Sequence, residues 1–313
     1  MKVGICFSGK FIGNDPLGHI GVKLPTYLRL LELCQKEGWK SYVLTRKTYK
    51  GGGVFDGVWE FSDQKFNRIE SPTKIDLVYD RSAGVNFPPE GDGSVIWINN
   101  RDFKILAWDK WRGYREIRKY SPKTFLLESE KEIAGVLPKI ETDLVVLKPF
   151  NGLKGIGVFV GSKSDALNFK FPKNYPKYIA QEFIDTSRGI PNVTSGLHDL
   201  RIAIVNGDIV WSHVRVPQKG SFKANAAAGG ILTEIDLKEI PKSVLRIVEE
   251  ISKKFLRQYD NPIYSLDFGI DKDGTAKIFE INDQIGFPKW EMKNRDSFLN
   301  ALIENFKSKL SSI

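Results

Sequence analysis

Residues 263–282, IYSLDFGIDKDGTAKIFEIN, constrain the fold more than any other stretch of the chain. They predict two β-strands joined by a turn, with Asp267 on the first strand and Glu280 and Asn282 on the second. Because side chains alternate along a strand, Glu280 and Asn282 share a face, where Asp267 can join them. Mg²⁺ prefers such oxygen ligands and often binds protein carboxylates and nucleotide phosphates at the same time. The stretch suggests a magnesium and ATP site, but taken alone it is equally open to the alternative, a hairpin with polar ends.

A glycine-rich loop lies upstream of this stretch. A predicted strand over 143–147 leads into Lys148 and then into residues 151–158, NGLKGIGV. Glycines let backbone N–H groups approach phosphate oxygens closely, and a lysine at the end of the strand adds a positive charge. The loop returns into an apolar run instead of opening a helix, so it is not a Walker loop. We expect a flap over nucleotide phosphates, and a glycine-rich hairpin is the alternative. The glycines concerned are Gly152, Gly155 and Gly157.

Three further segments occur in the order that a nucleotide site needs. An amphipathic helix is predicted from about Phe103 to Tyr120, and it contains Lys110. A buried strand over 178–185 ends in acceptors suited to an adenine edge and ribose hydroxyls. A hairpin with an Asn-Gly turn at 206–208 follows. The candidate nucleotide contacts on the buried strand are Gln181, Glu182, Phe183, Ile184 and Asp185.

Taken in chain order, these motifs resemble those of the ATP-grasp superfamily, close to glutathione synthetase and the ribosomal-protein glutamate ligases. The matching stretches are Asn99–Asn100 to Asp109–Lys110, Lys148–Pro149 with the glycine loop, Gln181–Ile184, His198–Arg201, Arg215, Asn225–Gly230, Asp267 and Glu280–Asn282. The resemblance implies an α/β ATP-grasp fold with an N-terminal parallel-sheet domain, a lid subdomain and a C-terminal mixed-sheet subdomain. It also implies ATP-dependent joining of a carboxylate to an amine through an acyl phosphate. The chain departs from the glutamate ligases at 283–288, DQIGFP, where those enzymes have a small residue, proline and glycine.

The resemblance also implies roles for individual side chains. Lys110 and Lys148 would hold the α- and β-phosphates, and Mg²⁺, or Mn²⁺ in its place, would lie at the metal set. Arg215, Arg201 and Asn225 are the candidate catalytic residues. The two arginines would stabilise phosphoryl transfer and then the tetrahedral state. Surface salt bridges are the alternative for the arginines, and a helix cap or turn is the alternative for Asn225.

The alternation of strands and helices predicts two domains. An N-terminal α/β domain over 1–98 would have strands near 2–7, 40–45, 75–79 and 94–98 and a helix near 24–37. The ATP-grasp domain would cover 99–313, with a lid over about 122–183 and helices over 241–257 and 296–310. Substrate specificity should come from loops 9–18 and 80–84, which follow strands of the first domain. Arg81 would either clamp a substrate carboxylate or join a loop network with Asp80.

Composition agrees with an enzyme that has large cores. The chain has 313 residues, of which 41% are hydrophobic, and no apolar run approaches the ~20 residues of a membrane helix. The net charge of +9 comes from lysines spread over amphipathic segments, which indicates a solvated surface and not a nucleic-acid site. Two cysteines without metal spacing favour a reducing compartment, the cytoplasm.

The expected partners are small-molecule carboxylate and amine substrates, such as an amino acid or a peptide, with a protein tail or a homo-oligomer left open. No nucleic acid or membrane partner is expected. Two other functions remain open at this point. One is a kinase-like phosphotransferase that uses the same nucleotide site. The other is a nucleotide-binding regulatory module without turnover.

Overall fold

The computed structural model describes residues 1–9, 15–82, 92–153, 155–222, 224, 229–260 and 262–311. Within these residues the strands form a seven-stranded, a four-stranded and a five-stranded sheet, which follow one another along the chain. Among the helices described, none is long and apolar enough to span a lipid bilayer.

The seven-stranded sheet occupies the N-terminal part of the chain. Its strands are β1 (Lys2–Phe7), β2 (Lys40–Thr45), β3 (Tyr49–Gly51), β4 (Val54–Ser62), β5 (Lys65–Lys74), β6 (Leu77–Asp80) and β7 (Ile96–Ile98). The order is β3-β4-β2-β1-β6-β7, with β5 paired to β4. Helix α1 (Leu24–Lys36) connects β1 to β2 and buries Tyr27, Leu30 and Leu31. This β–α–β connection makes β1 and β2 parallel, and β6 and β7 extend the parallel part.

The N-terminal sheet is parallel only in part, which corrects the expectation of a parallel sheet. Strand β4 pairs antiparallel with both β2 and β5. The β4–β5 hairpin is absent from the sequence-based prediction. Its turn is formed by Asp63 and Gln64, which both have positive φ, 48° and 60°. Alternation of fully and partly buried positions over residues 54–62 fits a strand that is covered on one face.

The single helix expected over 103–120 is instead two helices, α2 (Arg101–Trp108) and α3 (Lys110–Glu116). Asp109 separates them, with φ −86° and ψ 98°, outside the helical region. Its carboxylate accepts the backbone N–H of Arg112 at 2.8 Å and so caps α3. The break places Lys110 in the first turn of α3.

The four-stranded sheet, which we call the lid sheet, lies inside the range predicted for the lid. Its strands are β8 (Thr124–Leu127), β9 (Leu144–Pro149), β10 (Phe159–Ser162) and β11 (Tyr178–Glu182), in the order β10-β9-β11-β8. Short helices α4 (Ile133–Val136) and α5 (Lys163–Ala166) accompany them. The pairings described in this sheet are antiparallel. The connection between β9 and β10 is the glycine loop, so the predicted strand–loop–strand arrangement is confirmed.

The five-stranded sheet carries Asp267, Glu280 and Asn282. Its strands are β12 (Asp199–Val205), β13 (Asp208–Val216), β14 (Ile231–Glu234), β15 (Tyr264–Ile270) and β16 (Ala276–Asn282), in the order β14-β13-β12-β15-β16. The resemblance implies a mixed sheet here, but the described pairings are antiparallel. Helices α6 (Lys242–Gln258) and α7 (Arg295–Leu310) lie close to the predicted ranges.

Helix α7 joins distant parts of the chain through a shared core. Phe298, Leu302 and Phe306 of α7 lie in one buried cluster with Leu30 of α1 and Trp211 of β13. Helix α6 packs its apolar face into a second cluster, which includes residues of β12 and β15. The N-terminal sheet and the five-stranded sheet both contribute residues to the first of these cores, which also contains α7.

Candidate active site

A cleft of about 480 Å³ lies between the lid sheet and the five-stranded sheet. The lid sheet and its glycine loop contribute Val146, Lys148, Leu153, Gly155, Val158, Val160 and Gln181 to its walls. The five-stranded sheet contributes Asp199, Arg201, Arg215, Asp267, Phe279, Glu280 and Asn282. Most of the candidate phosphate, metal and catalytic side chains thus converge on one space, whereas Lys110 lines a small neighbouring pocket together with Glu280.

Asp267 is the centre of a buried ion-pair network. Its register neighbour on β12, Arg201, donates Nε and Nη2 to the two carboxylate oxygens, each at 2.6 Å. Arg215 on β13 donates Nη2 to Asp267 Oδ2 at 3.0 Å and also to Asp199. Burial alone would raise the pKa of Asp267, but the two guanidinium groups hold it well below its usual range. Asp267 is therefore ionised at neutral pH.

Asp199 lies at the other end of this network, and its pKa is shifted in the opposite direction. Burial raises its pKa to about 6; Arg215 opposes the shift and the nearby charge of Asp267 adds to it. Its second carboxylate oxygen, Oδ1, is buried without a hydrogen-bond partner among the described residues. The network therefore contains one carboxylate whose pKa is lowered and one whose pKa is raised.

The predicted metal set is brought together on β15 and β16. Glu280 lies directly opposite Asp267 in the strand register. Asn282 donates Nδ2 to Asp267 Oδ2 at 3.2 Å, and Glu280 accepts a hydrogen bond from Lys110 Nζ. All three candidate ligands line the cleft. Their placement follows from the alternation that is visible in the sequence.

This donor set fits a cation that is only partly held by protein. In the part of the chain that the structure describes, no three His, Cys, Asp or Glu side chains converge into a metal cage. Two carboxylates and one amide are too few for an all-protein site, but they suit Mg²⁺, which keeps waters and bridges to nucleotide phosphates. The residues present therefore fit a metal that arrives with a nucleotide.

Lys148 points into the cleft from the end of β9. Its Nζ donates to Gln181 Oε1 at 2.7 Å and lies 5.6 Å from the centre of the Phe279 ring. Gln181 is itself held by Thr124, to which Nε2 donates at 2.9 Å. Burial lowers the pKa of Lys148 to about 8; Glu280 opposes this shift and Lys110 adds to it. A phosphate beside Lys148 would relieve the cost of burying this charge.

The three glycines of the loop have different surroundings. Gly155 lines the cleft and has a φ of +69°. A Cβ on Gly157 would lie 2.9 Å from both Pro149 Cγ and Tyr178 Oη, and a Cβ on Gly152 would lie 2.8 Å from Pro149 Cβ. Gly152 and Gly157 are thus close-packed at the base of the loop and do not line the described cleft. Of the three glycines, only Gly155 lines the described cleft.

The end of β11 matches the prediction in part. Gln181, Glu182, Phe183 and Ile184 line the cleft. Asp185 is not part of the described lining, and its carboxylate accepts the backbone N–H of Ser187 at 3.0 Å in a local turn. The Glu182 carboxylate accepts the backbone N–H groups of Lys123 and Glu141, at 3.2 and 3.3 Å, within the lid range.

Some sequence-based candidates fall on residues that the structure does not describe. Asn225 lies outside the described residues. The two loops expected to set substrate specificity are described only in part, because residues 10–14 of the first and 83–84 of the second lie outside the described ranges.

Several residues that line the cleft are not among the site residues predicted from the sequence. They are Val146 and Val160, which face each other across β9 and β10, together with Phe279, Phe222, Ala224 and Gln284. Alternation along β9 from Lys148 is the signal that indicates Val146. Phe279 has no such signal, since alternation along β16 assigns it to the face opposite Glu280. Gln284 lies beyond the last strand, where no periodic signal exists.

The chain matches the family described as the RimK-like ATP-grasp domain over residues 103–305, and it belongs to that family. A glutathione synthetase from Prochlorococcus marinus is 30% identical over 312 residues, covering 93% of this chain and 96% of the relative. A probable alpha-L-glutamate ligase from Haemophilus influenzae is 27% identical over 161 residues, which cover 50% of this chain and 51% of the relative. The chain therefore spans about half the length of the curated glutamate ligases that it matches.

Solved structures agree on the fold. D-alanine–D-alanine ligase from Bacillus anthracis, solved with ATP, matches with a TM-score of 0.60 and 14% identity over 100% of both chains. At that identity the likeness concerns the fold alone. The predicted ATP-grasp fold class and the predicted family are confirmed.

Proposed function

We propose that this chain is an ATP-dependent ligase that joins a carboxylate to an amine through an acyl phosphate. The observation that carries the proposal is the arrangement of Lys148 on the lid sheet and the Arg201–Asp267–Arg215 network on the opposite sheet, which line one cleft. Membership in the ATP-grasp family and the ligase and synthetase names of the relatives support it. The substrates proposed are a small carboxylic acid and an amine, such as an amino acid or a peptide.

The nucleotide would lie under the lid sheet. The apolar positions Val146, Val160 and Ile184 offer a wall for a base, and Phe183 meets Phe222 edge to face at 5.4 Å beside it. Lys148 would then contact phosphate oxygens, with Lys110 of α3 close by. Gly155 would let the loop backbone approach the same phosphates.

Asp267, Glu280 and Asn282 would hold Mg²⁺ between the protein and the phosphates. When bound, the ion supplies charge neutralisation at the transferring phosphoryl group. Lys110, which contacts Glu280 in the described structure, would then be available for a phosphate oxygen.

The remaining task of the protein is to position the reacting groups. Arg215 and Arg201 present guanidinium groups to the cleft and would stabilise negative charge, first on the phosphoryl group and then on the tetrahedral state formed by the amine. Asp267 holds both guanidinium groups through the hydrogen bonds that it accepts from them, so that little reorganisation is needed during the reaction. Asn225 is the third candidate catalytic residue.

The proposal also includes a division into two domains with a lid, and a cellular location. Domains over 1–98 and 99–313, with a lid over about 122–183, would let the glycine loop open and close over the nucleotide. Cys6 and Cys34 are free and buried, which supports a location in the reducing cytoplasm.

The test is an isotope experiment. The protein is incubated with ATP, Mg²⁺ and a panel of acid–amine pairs, with the acid carboxylate labelled with ¹⁸O, and products are identified by mass spectrometry. We expect ADP, an amide, and inorganic phosphate that carries one ¹⁸O atom from the carboxylate. A stable phosphorylated product without amide would instead indicate a phosphotransferase, and ATP binding without any ADP release would indicate a regulatory module.

A further inference from the structure

Phe279 enters the cleft because of an irregularity in the pairing of β15 with β16. Asp267 faces Glu280 across these strands, but the next residue of β15, Phe268, faces Ile278. Phe279 therefore has no register partner, which is the pattern of a β-bulge. A bulge turns an extra side chain onto one face of the sheet, so Phe279 and Glu280 both line the cleft although they are adjacent in sequence.

A glycine on the neighbouring strand leaves room for the Phe279 ring. A Cβ on Gly269 would overlap Phe279 Cζ and would lie 2.8 Å from Cε2 and 2.9 Å from Cε1. The φ of Gly269 lies outside the left-handed region, so the ring and not the backbone conformation requires a glycine at this position. Ile278 and Ile281, on either side of the bulge, are buried in the core that helix α6 covers. The bulge and Gly269 thus place the ring against the cleft face of β15.

The ring lies next to the ammonium group of Lys148. Lys148 Nζ is 5.6 Å from the centre of the Phe279 ring, which is within the ~6 Å over which the face of an aromatic ring attracts a cation. The hydrogen bond of Lys148 goes to the neutral Gln181 Oε1 at 2.7 Å. Among the described residues Lys148 forms no ion pair, so these two neutral groups hold its ammonium group.

Other cations near the cleft are held by carboxylates instead. Arg201 pairs with Asp267, and Lys110 pairs with Glu280. A carboxylate partner competes with an incoming phosphate for the cation, whereas an amide oxygen and a ring face leave the positive charge uncancelled. Burial lowers the pKa of Lys148 to about 8. The negative face of a ring favours the charged form of the lysine without adding a counter-charge.

We propose that Phe279 is a positioning residue that acts through Lys148, because its ring face holds the ammonium group in place for the phosphates of the nucleotide. The inference rests on the proposed function, since it assumes that Lys148 contacts phosphate oxygens. Two adjacent residues of β16 then act on the phosphates in different ways, Glu280 through the metal and Phe279 through Lys148. An aliphatic side chain at position 279 would fill much of the same space but would not attract the cation.

The experiment measures phosphate binding without a nucleobase. Inorganic tripolyphosphate with Mg²⁺ is titrated by calorimetry into the full chain, as wild type and as Phe279→Leu, and an ATP analogue is titrated in parallel. We expect Phe279→Leu to weaken tripolyphosphate binding about 3- to 10-fold, because leucine offers no ring face. A fluorinated phenylalanine at position 279 keeps the ring but weakens its negative face, so it should also lose affinity. Wild-type affinity of both variants would contradict the role of the ring.

The dependence on Lys148 separates positioning from a purely structural role. In a Lys148→Met background, Phe279→Leu should change tripolyphosphate affinity by less than about 2-fold, since the cation that the ring holds is gone. An equal loss in both backgrounds would overturn the inference. A loss confined to the ATP analogue would also overturn it, because the ring would then contact the base and not act through Lys148.

Gly269→Ala tests the support of the ring from outside the cleft, because Gly269 is not part of the described lining. The added methyl group should displace the ring and weaken tripolyphosphate binding. In a Phe279→Ala background the same substitution should have no further effect, because no ring remains to be displaced. Additive losses from Gly269→Ala and Phe279→Ala would contradict this support.

Gly161→Ala is the matched control for Gly269→Ala. A Cβ on Gly161 would lie 2.7 Å from Cζ of Phe159, a ring of the lid sheet that is not part of the described cleft lining. Tripolyphosphate affinity of Gly161→Ala should therefore stay within about 2-fold of wild type. A coupling of Phe279 with Lys148 in a protein that releases no ADP with any acid–amine pair would reject the proposed ligase function and keep the positioning role.

Discussion

The cleft end proposed for the nucleotide and the segment over residues 283–288 differ in how the cations near them are balanced. At the nucleotide end, Lys110 faces Glu280, and Arg201 and Arg215 face Asp267. Beside residues 283–288, Lys23 lies with its Nζ 3.5 Å from the position that a Cβ on Gly286 would take. Lys23 has no carboxylate partner within the described residues, and the charges that act on its pKa are positive. At the first end these three cations are paired with carboxylates before a ligand binds, and Lys148, whose hydrogen bond goes to the neutral Gln181, remains for a phosphate. Around Lys23 the positive charge has no carboxylate partner among the described residues, so it costs stability.

The comparison predicts that substitutions at the two ends have different consequences. Removing one member of the ion pairs at the nucleotide end leaves its partner unpaired, so both function and local stability suffer. Removing the charge of Lys23 removes a partly buried cation and its repulsion with neighbouring cations, so the protein becomes more stable.

The largest effect is expected for Glu280→Gln. The change removes one negative charge from the metal set without changing volume, so turnover should fall about 100-fold or more, as for the loss of other groups that stabilise charge in a transition state. ADP release measured across Mg²⁺ concentrations should also show a higher half-saturation point. Glu249→Gln is the control, because Glu249 is 63% exposed and pairs with Lys253 on the same helix. Wild-type turnover of Glu280→Gln at limiting Mg²⁺ would contradict the metal assignment.

Lys148→Ala should weaken binding of an ATP analogue by about 10- to 100-fold, because a charge-assisted contact in a buried site is lost. Fluorescence or calorimetric titration measures the affinity. Lys177→Ala, beside the same sheet, is the control: Lys177 is 49% exposed and pairs with Glu128, so its effect should stay below about 2-fold. Equal affinities for the two variants would argue against Lys148 as a phosphate contact.

The glycine loop offers a smaller and more selective effect. Gly155→Val places a β-branched residue at a φ of +69°, so the loop should close poorly. Turnover should fall several-fold and ATP hydrolysis without amide product should rise, with thermal stability almost unchanged. Gly157→Ala should mainly affect stability, at a cost of about 1–3 kcal/mol, because close packing leaves no room for a methyl group. Its Cβ would lie 2.9 Å from atoms of Pro149 and Tyr178. Equal effects of the two substitutions on turnover and on thermal stability would contradict the different roles assigned to Gly155 and Gly157.

The smallest effect concerns Lys23 in the absence of ligand. Its pKa is about 8 in the folded chain, against ~10.4 when unfolded, so the unfolded chain holds more protons between these pH values. Lys23 therefore costs stability below pH 8, and this cost is relieved as pH rises towards ~10. Lys23→Gln should be more stable than wild type at about pH 7, by on the order of 1 kcal/mol, and denaturant titrations should show the difference shrinking at about pH 10. A destabilised variant at neutral pH would mean that Lys23 has a favourable partner.

Local patterns account for most of what the sequence predicts correctly. Alternation and a Gly-containing turn, which are both local signals, identify the strands that carry Asp267 and Glu280. Apolar periodicity identifies helices α6 and α7 in the same way. The break at Asp109 also has a local signal, a capping aspartate before a helical segment, but the longer periodicity outweighs it.

Contacts between distant strands are out of reach of such patterns. The network of Asp199, Arg215 and Asp267 depends on the pairing of β12 with both β13 and β15, which no short pattern specifies. The sequence suggests a substrate clamp or a partnership with Asp80 for Arg81. The structure shows a hydrogen bond to the Ile285 carbonyl, 204 positions away in the sequence.

The packing of α7 has a consequence for the synthesis of this protein. Leu30 of α1 shares one core with Phe298, Leu302 and Phe306 of α7, although most of the chain separates the two helices. At roughly 5–20 residues per second, the ribosome needs on the order of 10–60 seconds to make the intervening segment.

During that interval the apolar faces of β1 and α1 lack the cover that α7 provides. The first part of the nascent chain then exposes apolar surface, which favours aggregation and the binding of chaperones. The core around α1 is therefore completed by the last described helix, and a chain that stalls before Phe298 would leave its earliest strands partly uncovered.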